Sequence, residues 1–337
     1  MTRTTTTIRK AKRDFLDSKA NNLKDSTVRA YRIVVSDFLE YCETNGIEAV
    51  GNIDGYLIEQ WKIKRKDEDQ VSPATLKNNL KHLRVFIRWC EATEMLDAGM
   101  ADKMQIPSIT DAQSRSDDIV DPEQMQSILN HLEMYQYATR LHAFTKLLWH
   151  IGCRISVAIA LDVQDFRPRK GVIEIRNREQ TGTGLKNGNK SERNVTLNDD
   201  VVEVLNDYVN GRRLNVTDDH GREPLFTTEA GRMGRNVAYK NFVAISRPCV
   251  YDNHCPHNRN VDNCEAAQKK KRAFDCPSSE SLHPIRRGSI TYHLNQGWPI
   301  EQVSQRCDVG VDVLKKHYDS RSLEDTRQQR SQHLDKL

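Results

Sequence analysis

Leu282-His283-Pro284-Ile285-Arg286-Arg287-Gly288-Ser289 is an H-x-x-R pair entering a helix. Alone, it reads as easily as a helix-start histidine with a satisfied hydrogen bond beside a basic turn. Three other stretches stand in order around it. Upstream, Ile151-Gly152-Cys153-Arg154-Ile155-Ser156 delivers an arginine from a glycine turn at the end of an apolar helix. Between two strand-like runs lies Gly184-Leu185-Lys186-Asn187-Gly188-Asn189-Lys190, a turn offering two lysines. Downstream, Lys316-His317-Tyr318-Asp319 sets a tyrosine thirty-two positions after Arg286. Each has an ordinary reading. Arg154 fits a structural ion pair, a hairpin lysine is usually solvated, and Val311, Leu314 and Tyr318 at i, i+3, i+7 fit a helix core. Their order and spacing together carry more.

Working outward, the first ~110 residues read as helical. Ser26 is a candidate cap for a helix whose face carries Val28, Tyr31, Val35, Phe38, Leu39 and Cys42, with Gly46 as its stop. Ser72-Pro73 combines a cap with proline at the first helical position. It opens a helix with Leu76, Leu80, Leu83, Ile87 and Cys90 as the buried stripe. One residue onward run Lys77, Lys81, Arg84 and Arg88, an acid-free basic face suited either to solvent or to phosphates. Periodicity lapses between Met104 and Asp121, placing a domain boundary near Ser114 and dividing the chain into 1–114 and 115–337. The second part is mixed. Asp121-Pro122-Glu123 starts a helix, and Leu141 to His150 is a buried one. Val172 to Arg176 and Asn194 to Leu197 are short strands. Helices follow over about Asp199–Asn210, Asn236–Ile245, Ile285–Leu294, Pro299–Cys307 and Val311–Tyr318. The fold class expected is mainly α with a small antiparallel sheet.

Composition sets the limits. The chain has 337 residues, enough for about two domains at roughly 150 residues each. Hydrophobic residues are 37% and charged residues 29%, which is globular rather than disordered. A formal net charge of +4 permits a nucleic-acid partner without demanding one, since local clustering of Lys and Arg decides. Met1 to Lys12 lacks an apolar signal core, and no run approaches the roughly 18 apolar residues of a span, so a cytoplasmic, membrane-free protein is expected. Of eight cysteines, Cys42, Cys90, Cys153 and Cys307 sit in apolar patterns as small core residues.

The other four, Cys249, Cys255, Cys264 and Cys276, cluster in an insertion at about 247–280 that also holds His254 and His257. Four thiolates would satisfy a tetrahedral structural zinc; the alternative is an irregular loop with free thiols. Lys269-Lys270-Lys271-Arg272 lies in the same insertion and reads as a DNA-contacting element.

With Arg154, the hairpin lysine, His283-x-x-Arg286 and Tyr318 in this order, the chain resembles the tyrosine recombinase (phage integrase) family. The likeness takes in Xer-like enzymes and is nearest in pattern to archaeal viral and plasmid integrases. The resemblance implies a helical core-binding (SAM-like) domain followed by an α/β catalytic domain, together clamping double-stranded DNA attachment sites. It implies strand cutting and rejoining through a 3′-phosphotyrosine, without ATP or a catalytic cofactor, in a homotetramer. By the same resemblance, Arg154 and Arg286 clamp the scissile phosphate and Tyr318 attacks it. Lys186 protonates the leaving 5′ oxygen, and His283 handles the tyrosine proton or holds the phosphate. Counting back from Ser191–Leu197 favours Lys186 over Lys190. Arg287 adds to the DNA-facing set.

Three positions depart from the family's pattern. Val157 stands where an acid commonly follows the first arginine, so whatever orients Arg154 must come from elsewhere. Val309 stands nine positions before the tyrosine where a histidine or tryptophan is usual, with Asp308 as the nearest polar group. Arg287 stands where histidine is frequent. Two rival readings accordingly remain at this level: an integrase relative that only binds DNA, and a type IB topoisomerase-like relaxing activity.

Overall fold

The computed structural model describes residues 5–110 and 118–318, together with residues 327 and 331. The chain forms two compact units, Met1–Ser116 and Asp117–Leu337, each with its own apolar core. The boundary expected near Ser114 falls within residues 111–117, outside the described residues.

The first unit is helical: α1 (Ile8–Ala20), α2 (Asp25–Thr44), α3 (Gly55–Asp67), α4 (Pro73–Ala92) and the short α5 (Met100–Lys103). Asp54 caps α3 by accepting from the Leu57 N–H at 2.8 Å. Ser72 caps α4 by accepting from Thr75, with Pro73 at the first helical position where no N–H is needed. Ser26 is not a cap. The helix starts one residue earlier, at Asp25, whose carboxylate sits favourably in the positive first turn. Phe15, Phe38, Trp61 and Phe86 are fully buried and meet edge to face, Phe15 with Phe86 at 5.3 Å and Phe38 with Trp61 at 5.5 Å. Each such side chain contributes about 1.5–3 kcal/mol of burial free energy.

The second unit is mainly α with small antiparallel sheets. Its helices are α6 (Pro122–Tyr135), α7 (Arg140–Ile151), α8 (Ile155–Ala160), α9 (Asp199–Asp207), α10 (Arg235–Ile245), α11 (Pro248–Tyr251), α12 (Glu265–Gln268), α13 (Leu282–Asn295), α14 (Ile300–Cys307) and α15 (Val311–His317). Strands β1 (Phe166–Arg167), β2 (Val172–Ile175) and β3 (Arg193–Thr196) form one antiparallel sheet in that order, with Ile173 opposite Val195. Ile173, Ile175 and Val195 point into the core while Glu174 does not, the alternation a half-buried strand requires. A second pair, β4 (Thr227–Thr228) and β5 (Gly231–Arg232), closes a tight turn. Helix α13 starts at Leu282, ahead of the expected Ile285, because Pro284 is tolerated in a first turn; this draws His283 into the helix.

Two glycines allow the close packing behind the site. A Cβ on Gly288 would lie 1.9 Å from the Val120 carbonyl oxygen and 3.0 Å from Trp149, so only glycine lets α13 seat there. Gly152 has φ +65, and a Cβ would meet Cys307 Sγ and Ser289 Oγ at 2.9 Å. Buried Asp162 and Asp165 tie the loop after β2 to the body: Arg178 donates to Asp165 Oδ2 at 2.9 Å, and Arg232 pairs with Asp162. Among the described residues no helix is long and apolar enough to cross a membrane.

Candidate active site

Helix α7 ends at Gly152, whose left-handed turn reverses the chain and leaves Arg154 at the cap of α8. The Arg154 guanidinium is about a quarter exposed and forms an ion pair with Asp308. Arg286, one turn into α13, is only 7% exposed. It donates through Nη1 to the carbonyls of Gly152 at 3.0 Å and Cys307 at 2.8 Å, and through Nη2 to that of Asp308 at 3.2 Å. Burial, and next the positive charge of Arg154, push its pKa down from the ordinary arginine value, and Tyr318 is among the groups pulling it back up. Two guanidiniums are thus held close despite mutual repulsion. An anion between them would relieve it.

His283 is solvent-exposed in the first turn of α13. Partial desolvation, followed by the fields of Arg286, Arg287 and Arg235, holds its imidazole below the usual histidine value. It is therefore neutral near pH 7 and able to accept a proton. Tyr318 ends α15, its N–H donating to the Leu314 carbonyl at 2.9 Å. Its half-buried ring packs on the cluster of Ile290, Leu294, Val303, Cys307, Val309 and Leu314, and the Arg287 guanidinium carbon lies 5.9 Å from the ring centroid. The ordinary reading of Tyr318 as a packed tyrosine and the reactive one therefore both describe it. Val309 is 9% exposed within that cluster and serves the core. Asp319 lies outside the described residues.

The loop 176–192 between β2 and β3 is pinned rather than loose. Leu185 is buried and its N–H donates to Asn177 Oδ1 at 2.9 Å, while Asn177 Nδ2 donates to Asn189 Oδ1 at 2.7 Å. Lys186 and Lys190 are both exposed. Lys190 lines an open cleft of about 520 Å³ with Asn187, Ser191, Asp308 and Val309; Lys186 is not in its wall. Ser191 Oγ donates to Asp308 Oδ2 at 2.9 Å, and Asn187 Nδ2 reaches Oδ1 at 3.5 Å. Arg154 and Arg286 thus come together at Asp308, where the lysine loop meets them, with His283 on the same helix as Arg286 and Tyr318 packed on the adjoining cluster against Arg287. Sequence reasoning named Asp308 as the nearest polar group at its position but missed its partners. It also missed half-buried Arg193, which donates to the carbonyls of Arg306 and Ser191, each at 2.8 Å.

The basic stripe of α4 is less free than its sequence suggests. Arg84 donates to the Met104 carbonyl and Arg88 pairs with Asp102 at 2.7 Å, so an acid from α5 interrupts it; Lys81 is exposed and Lys77 half-buried. Arg287, expected to face DNA, is 9% exposed under Tyr318 instead. Lys269, Lys270, Lys271 and Arg272 are all exposed, with Lys269 on Glu265 at 2.6 Å, Lys270 on Asn241 at 2.6 Å and Arg272 on Asp275.

Cys42, Cys90, Cys153 and Cys307 are fully or almost fully buried, as small core residues should be. Cys249, Cys255, Cys264 and Cys276 instead ring one small cavity of about 10 Å³, with His257, Arg247 and Arg259 also in its wall. Hydrogen bonding from the neighbouring Ala267 backbone, and further from Ala266 and Arg259, holds the Cys264 thiol below its ordinary value. Burial pushes the Cys249 thiol up, and neighbouring Cys276, Cys255 and Cys264 add to that. Among the described residues no three ligating side chains are already gathered closely enough to hold an ion. The donor set suits a soft tetrahedral cation, but the thiols would have to draw together to bind it.

Residues 118–308 match the phage integrase family, ending ten positions before Tyr318. A probable integrase/recombinase of Methanocaldococcus jannaschii is 23% identical over 296 residues, covering 86% of this chain and 79% of that protein. The tyrosine recombinase XerD of Staphylococcus epidermidis is 23% identical over 211 residues, 62% of this chain and 67% of its own. Among solved structures, the Tn1549 transposon integrase in complex with a circular intermediate DNA superposes with a TM-score of 0.68 at 15% identity, over 97% of this chain and 99% of that one. The XerH site-specific recombinase bound to a palindromic difH substrate gives 0.63 at 15% identity, over 95% and 83%. These two likenesses establish a shared fold.

Proposed function

The chain belongs to the phage integrase family and is a tyrosine-type site-specific recombinase, and from that premise we propose that it cuts and rejoins double-stranded DNA through a covalent bond to Tyr318. The observation that carries this reading is the pair of guanidiniums, Arg154 and Arg286, both anchored on Asp308, with Tyr318 packed on the adjoining Cys307 and Val309 cluster and against Arg287. In the reaction the Tyr318 oxygen forms a bond to phosphorus as the bond from phosphorus to the 5′ oxygen breaks. The energy of one ester is kept in the other, so rejoining needs no ATP. Arg154 and Arg286 neutralise the charge that builds on the phosphate oxygens, each with paired planar donors. His283, neutral near pH 7, takes the tyrosine proton. A loop lysine gives a proton to the 5′ oxygen. Lys186 fits the spacing from β3, while Lys190 borders the cleft beside Asp308.

The partners proposed are two DNA attachment sites held by a homotetramer, in the cytoplasm where the DNA is. Lys77 and Lys81 of α4 and the run Lys269–Arg272 supply phosphate contacts, a sequence-independent and salt-sensitive contribution. A nicked substrate that loses the 5′ fragment after cleavage traps the covalent species and tests the reading. The native chain should accumulate a DNA adduct and Tyr318→Phe should bind the site without forming one. A native chain that binds DNA and never attaches would reduce it to a DNA-binding relative.

Cys249, Cys255, Cys264 and Cys276 are proposed to hold a structural zinc that fixes the 247–280 insertion against α10 and α13. The Arg247 guanidinium already stitches that insertion by donating to the Ala266 and Ala267 carbonyls, the latter at 2.8 Å, and Ser246 accepts from the Glu280 N–H at 2.7 Å. The ion takes no part in the transesterification. Elemental analysis of purified protein should give close to one zinc per chain; less than a few tenths of an equivalent would leave a loop of free thiols.

A further inference from the structure

Asp308 follows the last turn of α14 with φ +53 and ψ +64, a left-handed position where glycine would be free of strain and most residues are disfavoured. Its side chain is only 14% exposed, and it is used on every side. The carboxylate pairs with Arg154 and accepts from Ser191 Oγ at 2.9 Å and Asn187 Nδ2 at 3.5 Å. Its main-chain carbonyl accepts from Arg286 Nη2 at 3.2 Å, beside the Cys307 carbonyl that takes Nη1 at 2.8 Å. On the helix that Arg154 itself caps, the position one turn along is Val157, 3% exposed and unable to accept a hydrogen bond. Among the described residues Asp308 is the acidic partner of Arg154, and it comes from the end of a different helix.

We propose that Asp308 is a positioning residue for strand cleavage. Its side chain aims Arg154 and its main chain aims Arg286, so the separation of the two guanidiniums is set by one residue, and the lysine-bearing loop docks on the same carboxylate through Ser191 and Asn187. The inference rests on the reading of Arg154 and Arg286 as the phosphate-binding pair. A left-handed conformation kept by an aspartate, where glycine would relax it, is accounted for by the contacts only a carboxylate makes there. Misplacing a reacting or charge-stabilising group by about 1 Å costs roughly 10²-fold in rate, which sets the size of the effect.

The experiment compares the native chain with Asp308→Asn, Asp308→Gly, Arg154→Ala and the Arg154→Ala/Asp308→Asn double variant, using the nicked substrate. Asparagine keeps the size, the tolerance for left-handed backbone and one acceptor oxygen, but not the charge. Glycine keeps the carbonyl that holds Arg286 and releases the strain. Single-turnover adduct formation at saturating DNA should fall about tenfold or more in Asp308→Asn and roughly 10²-fold in Asp308→Gly. The Kd for the DNA site should stay within about threefold, because orientation and not ground-state binding is lost. In the Arg154→Ala background, already slowed by roughly 10²–10³-fold, adding Asp308→Asn should change the rate by less than about threefold, since asparagine keeps the main-chain carbonyl for Arg286 and an acceptor oxygen for Ser191, and the contact it weakens is the one to the missing arginine. Native or faster rates in Asp308→Asn overturn the proposal; faster rates would mean that the carboxylate competes with phosphate for Arg154. Fully additive losses overturn it too, as would a rate loss matched by an equal loss of DNA affinity. Should Asp308→Gly not fold, the asparagine variant decides alone. Absence of any adduct from the native chain overturns the functional reading first and this inference with it, whereas a native adduct with unimpaired Asp308 variants overturns this inference only.

Discussion

Arg286→Lys separates the charge of the buried cation from its shape. The guanidinium fork serves three carbonyls at once, those of Gly152, Cys307 and Asp308, at 2.8 to 3.2 Å. An ammonium is a point donor on a flexible stem and cannot reproduce two planar arms diverging toward different chain segments. At most two of the three bonds survive, and a hydrogen bond from a charged donor is worth about 1.5–3 kcal/mol. Losing one such bond should cost about 1.5–3 kcal/mol in the stability of the second unit, well within the 5–15 kcal/mol typical of a folded protein. Urea unfolding followed by circular dichroism should show a lower midpoint at unchanged slope. The same substitution should slow adduct formation at saturating DNA by roughly 10²–10³-fold, because one charge-stabilising fork is gone from the transition state. A variant with the native urea midpoint would refute the assignment of Arg286 as the joint of these three segments. One with native cleavage rate would refute its place at the phosphate.

Other consequences follow from the same packing. Gly288→Ala should cost about 3 kcal/mol or more, because its Cβ would fall 1.9 Å from the Val120 carbonyl oxygen and overpacking against backbone is not relieved by rotamer change; thermal unfolding should show it. His142 and His150 are pushed down to about 4, chiefly by burial and next by the positive charge of Lys146 and Arg306 respectively. The unfolded chain binds these protons more readily, so stability is full above pH ~6.5 and is lost as pH falls toward about 4. Unfolding midpoints across that range should show this slope, and His142→Gln should flatten it. Removing zinc with a chelator should lower the melting temperature of the second unit, and Cys264→Ser should abolish metal retention; equal melting with and without chelator would contradict a structural ion.

Much of this architecture is local and therefore legible in the sequence. The Ser72-Pro73 cap, the Leu76–Cys90 stripe and the Gly152 turn act through a few adjacent residues, and so does proline in the first turn of α13. Their outcome depends little on the rest of the chain. What escaped is what distant segments do to each other. Arg154 and Asp308 are 154 positions apart, and nothing near either names the other. Arg84 and Arg88 look like free cations until α5 folds back and supplies a carbonyl and Asp102. Arg287 joins the DNA-facing set in the sequence, yet its helical position turns it under Tyr318. The choice between Lys186 and Lys190 turns on how a pinned loop lies against α14, which residue spacing does not encode.

The central claim is that Tyr318 becomes covalently joined to DNA. The direct measurement is tandem mass spectrometry of the trapped complex after nuclease and protease digestion. The account predicts a nucleotide remnant on the Tyr318 side chain, absent from the Tyr318→Phe variant. A remnant on any other residue, or an adduct that persists in Tyr318→Phe, would contradict it.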